Sequence, residues 1–417
     1  MKKIISTIIL TAIFLTCAAC SNNEIAGNET SSTTSSFIGE QSTADNSITH
    51  SSDGSSSEEF DSSSNFESQD NVTSISYDET TVPTVPTDLK PSEGFEFESN
   101  GDGTCTLVKI GTCSDKDIVI PEKSPAGDTV TLIGEYALMS LKADSVTLFN
   151  YNYKIDERAF QFGKFETLNV IGGNPEIGDS AFSSCEDIET ITFQNCNIEI
   201  GEYSFMSCGD DAVLKFVDCT GYIDEHAFQF SDFESISFDT CDLELDDNSF
   251  AHCENVKLLT ISKSTISVGE YTFMNLGKNA DIEIVNSDME FDDRAFPYSS
   301  LNSLKISGGT LEMGDSVFSN CEDLTEVTID CDNISIGEYA FMSCEDLTSV
   351  SICDNENSDN NIEIDDRAFQ FCKLLTDVKI GSGNVKIGSY VFSNCADNLA
   401  ITIAGNSYTA DSIIKGL

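Results

Sequence analysis

The chain has 417 residues, and its 72 Asp and Glu against 21 Lys and Arg give a formal net charge of −51 at pH 7. This charge argues against nucleic acids and anionic lipid surfaces as partners, because both are bound through Lys and Arg. It favours cationic partners or divalent ions.

The first predicted element is an export signal over residues 1–20. Two Lys residues precede an apolar stretch from Ile4 to Thr16, and small residues lead from there to Cys20. This order is typical of a signal peptide, and the stretch is too short to span a membrane with normal flanks. The segment before Cys20 resembles a bacterial lipobox, although Cys17 stands where Leu is usual. We expect lipidation at Cys20 and a lipid anchor on the bacterial membrane; the alternative is simple cleavage with secretion, or retention of the segment.

Residues 21–91 are predicted to form a disordered stalk. Ser, Thr, Asn, Asp and Glu dominate this stretch, which therefore cannot bury enough apolar surface to offset its ordering entropy. Residues 92–130 contain short β-like runs separated by turn signals, and we assign them to an N-terminal cap for the repeats that follow. Residues 404–417 are assigned to a C-terminal cap.

Residues 131–403 repeat one short pattern twelve times. It consists of an apolar residue, Gly or Asp, usually an acidic residue, two variable positions, and a final aromatic residue or Leu, which we call the signature aromatic. The signature aromatic recurs every 22 or 23 residues, apart from one gap of 28. Such a period predicts a solenoid of about twelve coils. The signature aromatics are Leu138, Phe160, Phe182, Phe205, Phe228, Phe250, Phe273, Phe296, Phe318, Phe341, Phe369 and Phe392.

Each coil is predicted to contain two short strands and one helical turn. In the coil that ends at Phe341, apolar residues alternate along both strand segments, and Gly337 to Phe341 are expected to enter a short helix. Coils stacked strand on strand would lie about 4.8 Å apart. Signature aromatics three coils apart are 67 or 68 residues apart over the first ten coils, and the residue types beside them recur with the same period. The array therefore reads as four copies of a three-coil block.

These coils resemble the BspA-like family of bacterial leucine-rich repeats. The resemblance rests on units such as residues 336–344, followed by Leu347, Val350 and Ile352, and it covers about residues 95–417. It implies a β-rich superhelix that works as a surface-exposed adhesion or binding protein, with no catalytic residues to transfer. Asp replaces the usual Gly in five coils, which leaves the fine specificity for a partner open.

An acidic residue follows the Gly or Asp in eleven of the twelve coils, from Glu135 to Asp366, and we call this position the acidic column. Its stacked carboxylates could form a cation ladder, since Ca²⁺ takes several oxygen ligands. We favour the alternative that they cap the N-termini of the short helices. No regular calcium-loop spacing is present, and we predict no metal and no cofactor.

Cysteine recurs three residues after the signature aromatic, at Cys185, Cys208, Cys253, Cys321, Cys344, Cys372 and Cys395. Adjacent coils place some of these within disulfide reach, but Leu, Gly and Ser also occupy this column. That pattern favours reduced, buried thiols at a small core position. His226 and His252 are interpreted as repeat variation. No nucleophile elbow, phosphate loop or dinucleotide motif occurs, so we expect no enzyme.

The predicted binding stripe is a set of tyrosines that recur every third coil, each followed three residues later by Met. Regularly spaced Tyr suits a repetitive or extended ligand, while the alternative is that Tyr and Met pack between coils. The stripe residues are Tyr136, Tyr203, Tyr271 and Tyr339 with Met139, Met206, Met274 and Met342.

Two hypotheses for function follow. The first is a monomeric adhesion protein on the cell surface that binds a protein or an extracellular polymer such as host matrix. The second is a structural acidic envelope protein, which serves as a spacer that binds polysaccharide or cations.

Overall fold

The computed structural model describes residues 89–353 and 360–417. The predicted signal peptide with Cys20 lies outside these residues, as does all of the predicted stalk except residues 89–91. Residues 354–359, within the longest gap between repeats, also lie outside them. No helix in the described part of the chain has the length and apolar character needed to cross a bilayer.

The described residues form 28 β-strands and one short 3-10 helix, η1 (Ala410–Ile413). The strands are β1 (Glu96–Ser99), β2 (Thr104–Lys109), β3 (Asp117–Val119), β4 (Thr129–Ile133), β5 (Ser145–Tyr151), β6 (Lys154–Ile155), β7 (Thr167–Gly173), β8 (Glu176–Ile177), β9 (Thr190–Gln194), β10 (Asn197–Ile200), β11 (Ala212–Val217), β12 (Thr220–Ile223), β13 (Phe233–Asp239), β14 (Asp242–Leu245), β15 (Leu258–Ser262), β16 (Thr265–Val268), β17 (Ala280–Val285), β18 (Asp288–Phe291), β19 (Leu301–Ser307), β20 (Thr310–Met313), β21 (Glu326–Asp330), β22 (Asn333–Ile336), β23 (Ser349–Ile352), β24 (Asn360–Ile364), β25 (Asp377–Ile380), β26 (Gly383–Ile387), β27 (Ala400–Ile403) and β28 (Asn406–Tyr408).

The strands build two sheets of 14 strands each. Sheet A contains β1 and the even strands β2 to β26, and sheet B contains the odd strands β3 to β27 and β28. Successive coils pair in parallel, whereas the outermost pairs, β1 with β2 and β27 with β28, are antiparallel. The chain thus winds through about thirteen turns, each with one strand in either sheet. This confirms the predicted solenoid. The turn of β2 and β3 lacks a signature aromatic.

The even strands follow the alternation expected of a strand with one buried face. In β10, Ile198 and Ile200 are buried while Asn197 and Glu199 are exposed. The same alternation recurs in β14, β16, β18 and β20. Since parallel neighbours pair in register, the apolar side chains form continuous columns inside the solenoid.

The signature phenylalanines form one continuous stack through the core. From Phe160 to Phe392, neighbouring rings lie 4.6–5.6 Å apart, with planes within 19° of parallel. A second stack, Phe193, Phe216 and Phe238, meets it edge to face. Stacked and edge-to-face rings both contribute attraction beyond the area they bury, so the stack helps to hold neighbouring coils together.

The predicted helical turn is wrong, because a series of overlapping tight turns stands in its place. Tyr203 and Ser207, on either side of Phe205, have φ values of 57° and 58°, and the equivalent residues of all twelve coils are also left-handed. Left-handed residues cannot continue a right-handed helix. The Phe205 N–H instead donates to the Ala227 carbonyl of the next coil at 2.7 Å. We call the segments from the Gly or Asp to the third residue after the signature aromatic the motif turns.

The predicted cysteine column lies in the core beside the motif turns. Cys208 donates through Sγ to the Phe182 carbonyl of the preceding coil at 3.0 Å, and Cys321 donates likewise to Phe296 at 3.2 Å. Where Ser231 occupies the column, its hydroxyl makes the equivalent bond. All cysteines among the described residues are free thiols. The shared hydrogen bond explains why Cys and Ser exchange at this position.

Candidate interaction surface

The four tyrosines of the predicted stripe lie on the motif turns, each against the Arg or His at the same position of the next coil. The ring of Tyr203 stacks on the His226 ring at 5.1 Å. The other three tyrosine hydroxyls accept a hydrogen bond from Arg158 to Tyr136 at 3.3 Å, from Arg294 to Tyr271 at 3.2 Å and from Arg367 to Tyr339 at 3.1 Å. In each three-coil block, the tyrosine of the first coil thus contacts the Arg or His of the second coil.

Two of these arginines also lie over aromatic rings. The Arg294 guanidinium is 5.8 Å from the Tyr271 ring centre, and the Arg367 guanidinium is 5.5 Å from Tyr339 and 5.8 Å from Tyr390. Each arginine contacts the glutamate that precedes its tyrosine as well. Such cation–π contacts, together with the hydrogen bonds to the hydroxyls, orient the tyrosines.

The stripe is only partly accessible. Tyr136 and Met139, in the first coil with the motif, are each 45% exposed. The remaining tyrosines and methionines of the stripe are half-buried. The structure thus places all eight predicted stripe residues on one surface, but the neighbouring coil covers part of each later tyrosine.

A second set of aromatic side chains on the motif turns was not predicted from the sequence. Phe162, Phe230, Tyr298 and Phe371 each stand two residues after the signature aromatic in the second coil of a block, and they are 39–61% exposed. We call them the exposed aromatic row. The column that contains them holds Ser, Asn or His in the other eight coils. The recurrence of an aromatic residue at this position, once in each block, is the sequence signal from which the row could have been predicted.

Four Asp residues of the acidic column accept backbone N–H groups of the next coil, and these N–H groups belong to turns and not to helices. Oδ1 of Asp247 accepts from the Glu270 N–H of the next coil at 2.7 Å, and Asp315 accepts from Glu338 at 2.8 Å. Each bond satisfies a donor that the left-handed turn leaves without a helical partner. These oxygens thus have a role in the turn itself.

The motif turns carry a strong negative charge. They hold the eleven carboxylates of the acidic column and the five Asp that precede some of them, against three Arg. None of the acidic-column residues is buried. Partial burial, together with the nearby charges of Glu363 and Asp315, raises the pKa of Asp365. Carboxylates of Glu225, Asp246 and Asp247 also approach within 4.8 Å of one another. The surface therefore attracts positive charge.

Burial raises the pKa of several core thiols. Loss of hydration is the main cause that raises the pKa of both Cys253 and Cys321 to about 12. Burial likewise raises the pKa of Cys344 well above its usual value. Because the thiolate is the nucleophile, these cysteines should be unreactive at neutral pH in the folded protein.

Alkylation with iodoacetamide at pH 8 is expected to spare Cys253 and Cys321 in the folded protein and to modify both in urea. Half-buried Cys113 serves as the internal control and should react faster than either. Mass spectrometry of the peptides measures each site, and equal modification of Cys253 and Cys113 in the folded protein would contradict the buried column.

Because the unfolded thiol loses its proton near pH 9 and the folded thiol near pH 12, the free energy of unfolding should fall as pH rises between these values. The loss amounts to about 1.4 kcal/mol per pH unit for each such thiol.

The parallel coils, stacked phenylalanines and recurrent motif turns define the class of protein as a leucine-rich-repeat β-solenoid. The chain belongs to the family described as BspA type leucine rich repeat region, whose model matches residues 131–256, 243–361 and 354–413. This confirms the resemblance seen in the motif. No curated protein matches the chain.

Several solved structures match the chain over most of its length. A leucine rich cell surface protein from Faecalibacterium prausnitzii A2-165 is 18% identical, with 79% of this chain and 99% of that chain covered and a TM-score of 0.30. A leucine-rich repeat protein from Bacteroides ovatus ATCC 8483 is 18% identical, with 74% and 93% covered and a TM-score of 0.33. The pneumococcal vaccine antigen PcpA is 13% identical, with 74% and 79% covered and a TM-score of 0.25.

Proposed function

We propose that this protein is a non-catalytic binding protein of the bacterial cell surface, where the solenoid holds a protein or an extracellular polymer such as host matrix. The observation that carries the proposal is the repetition of one surface side-chain set, Tyr with Arg or His, every third coil along the motif turns. Solenoids of stacked repeats present extended surfaces of this kind to their ligands.

The block repeat supports an extended or repetitive ligand. Stacked rings in the core keep a coil spacing close to 4.8 Å, so equivalent tyrosines recur about every 14–15 Å. A ligand that reaches two such positions at once gains affinity through effective concentration, without any new type of contact. Tyr and Arg are also the residues that most often dominate binding energy at interfaces.

The place of action in this proposal is the outer face of the cell. Lipidation at Cys20 would hold the chain on the membrane, with residues 21–91 as the stalk; secretion after simple cleavage is the alternative. In the bacterium that makes the protein, Cys20→Ala should move it from the membrane fraction to the medium. Full retention of the Cys20→Ala chain in the membrane fraction would contradict the lipid anchor.

Solid-phase binding of the purified chain to host matrix proteins and to bacterial envelope fractions tests the proposed activity. We expect saturable binding to at least one fraction, and about a tenfold loss when Tyr203, Tyr271 and Tyr339 are all replaced by Ala. As a matched control, Tyr222→Ala removes an exposed Tyr from sheet A and should leave binding unchanged. Absence of saturable binding to every fraction would contradict the binding function.

The second candidate is an acidic spacer of the envelope that binds cations. It is favoured by the close carboxylates of Glu225, Asp246 and Asp247 and by the net charge of −51. It predicts a thermal midpoint that rises with millimolar Ca²⁺, together with no saturable ligand in the solid-phase assay. A thermal midpoint that does not respond to Ca²⁺ would exclude it.

A further inference from the structure

The side chains of the exposed aromatic row lie on the surface and not in the core. Phe162, Phe230, Tyr298 and Phe371 are 45%, 39%, 61% and 40% exposed, respectively. The signature phenylalanines two residues before them, such as Phe160 and Phe228, are fully buried. Large apolar side chains that recur on a surface at a fixed interval mark an interaction site more often than they stabilise a fold.

The backbone of the row also opposes a role in stability. Its four residues have φ values of 59–65°. Bulky aromatic residues rarely adopt this left-handed conformation, whereas Asn is enriched in it. At the same position the other coils carry Ser, Asn or His. Strain and exposure both cost free energy, so the aromatic rings at these four positions call for a functional reason.

These rings are partly open to solvent. Along the column, Phe162 lies between Ser140 and Ser184, and Tyr298 lies between Asn275 and Asn320. Small polar neighbours cannot cover an aromatic face as the next phenylalanine does in the core. Within residues 89–353 and 360–417, Phe230 alone of the four has a ring stacked against it, that of His252 at 4.8 Å. The row thus offers aromatic faces to a ligand.

Each aromatic residue of the row shares its motif turn with an acidic residue. In the second coil of each block this acidic residue stands five positions before the aromatic residue, at Glu157, Glu225, Asp293 or Asp366. An aromatic face attracts Lys or Arg through cation–π interaction, and a nearby carboxylate adds an ionic attraction. Four such positions at about 14–15 Å intervals extend over roughly 43 Å, which fits an elongated partner and not a small molecule.

We propose that the exposed aromatic row, with the carboxylates of the motif turns, binds an elongated cationic polypeptide whose Lys and Arg side chains lie on the four rings. This inference rests on the proposed binding function and specifies the chemical class of its partner. A second copy of this chain is excluded as the occupant by charge, because two surfaces of the same acidic edge repel each other. Neutral polymers could pack on the rings but would gain no ionic attraction from the carboxylates.

The test compares two chains of equal charge. The quadruple variant Phe162→Ser, Phe230→Asn, Tyr298→Asn, Phe371→Ser removes the row, places residue types already found in this column at its positions, and keeps the net charge of −51. Fluorescence anisotropy with labelled poly-L-lysine of roughly 20 residues, at 0.15 M salt, should show at least a tenfold weaker affinity for the variant. The urea midpoint of the variant should be unchanged or higher.

A matched control removes exposed apolar side chains elsewhere. Tyr222→Ser on sheet A and Val285→Ser at the end of β17 remove side chains of similar exposure outside the motif turns. This double variant should bind poly-L-lysine as the unmodified chain does. A loss equal to that of the quadruple variant would overturn the assignment to the row.

The remaining outcomes are also decisive. Equal affinity of the quadruple variant and the unmodified chain for poly-L-lysine would show that binding depends on net charge alone. It would overturn the row as a binding site. A large fall in the urea midpoint of the variant would show that the rings are structural, which also overturns it. If the unmodified chain binds an envelope or matrix fraction but not poly-L-lysine, the cationic partner is wrong while the binding function stands.

Discussion

Replacement of Phe228 with Ala is expected to lower the free energy of unfolding by about 3–5 kcal/mol. Phe228 is fully buried, with Phe205 at 4.9 Å on one face and Phe250 at 4.8 Å on the other. Alanine would open a cavity in the middle of the stack, and each neighbouring ring would lose one stacking partner. Urea unfolding followed by far-UV circular dichroism measures the effect, since the chain has no Trp for fluorescence.

Phe230→Ala is the matched control for this experiment. It removes the same side chain two residues later, but Phe230 is 39% exposed and left-handed. Its loss should change the free energy of unfolding by no more than about 0.5 kcal/mol, the range usual for surface substitutions. Equal destabilisation by Phe228→Ala and Phe230→Ala would contradict the alternation of a buried stack and an exposed row.

The second large effect is expected from Gly221→Ala, which should destabilise the protein by about 2–5 kcal/mol. Gly221 has a φ of 119°, a conformation that residues with a side chain rarely adopt. A Cβ there would also lie 1.9 Å from the carbonyl oxygen of Ile198 in the adjacent strand. Strain and overlap would both push β12 away from β10, and the same urea titration measures the loss.

Gly405→Ala separates strain from overlap. Gly405 also has a positive φ, 75°, but a Cβ there would meet nothing within 4 Å. We expect a cost of only about 1–2 kcal/mol from the backbone conformation. If Gly221→Ala cost no more than Gly405→Ala, the close parallel approach of β10 and β12 would be contradicted.

The repeat period was sufficient to predict the solenoid, because each coil must bring its own aromatic residue to a shared core. The period could not reveal the tight turns. A helix and a series of tight turns with left-handed residues occupy a similar length of chain, and the choice between them depends on where the backbone N–H groups donate. Here the Phe205 N–H finds its acceptor in the next coil, at Ala227, and a contact between coils leaves no local mark in the sequence.

The tyrosine stripe could be predicted from the three-coil pattern, whereas its pairing with Arg and His could not. Tyr271 and Arg294 are 23 residues apart, and only the register of stacked coils brings their side chains together. The exposed row was missed for a related reason. Phe160 and Phe162 are two residues apart, a spacing that gives a shared face in a strand. The left-handed turn places one ring in the core and the other in solvent.

Hydroxyl-radical footprinting of the intact chain tests the central claim most directly. The account predicts rapid oxidation at Phe162, Phe230, Tyr298 and Phe371 and protection of the signature aromatics two residues earlier, Phe160, Phe228, Phe296 and Phe369. Mass spectrometry resolves the two members of each pair. Equal oxidation within the pairs, or faster oxidation of the signature phenylalanines, would contradict a solenoid whose stacked core and exposed aromatic row alternate along the same turns.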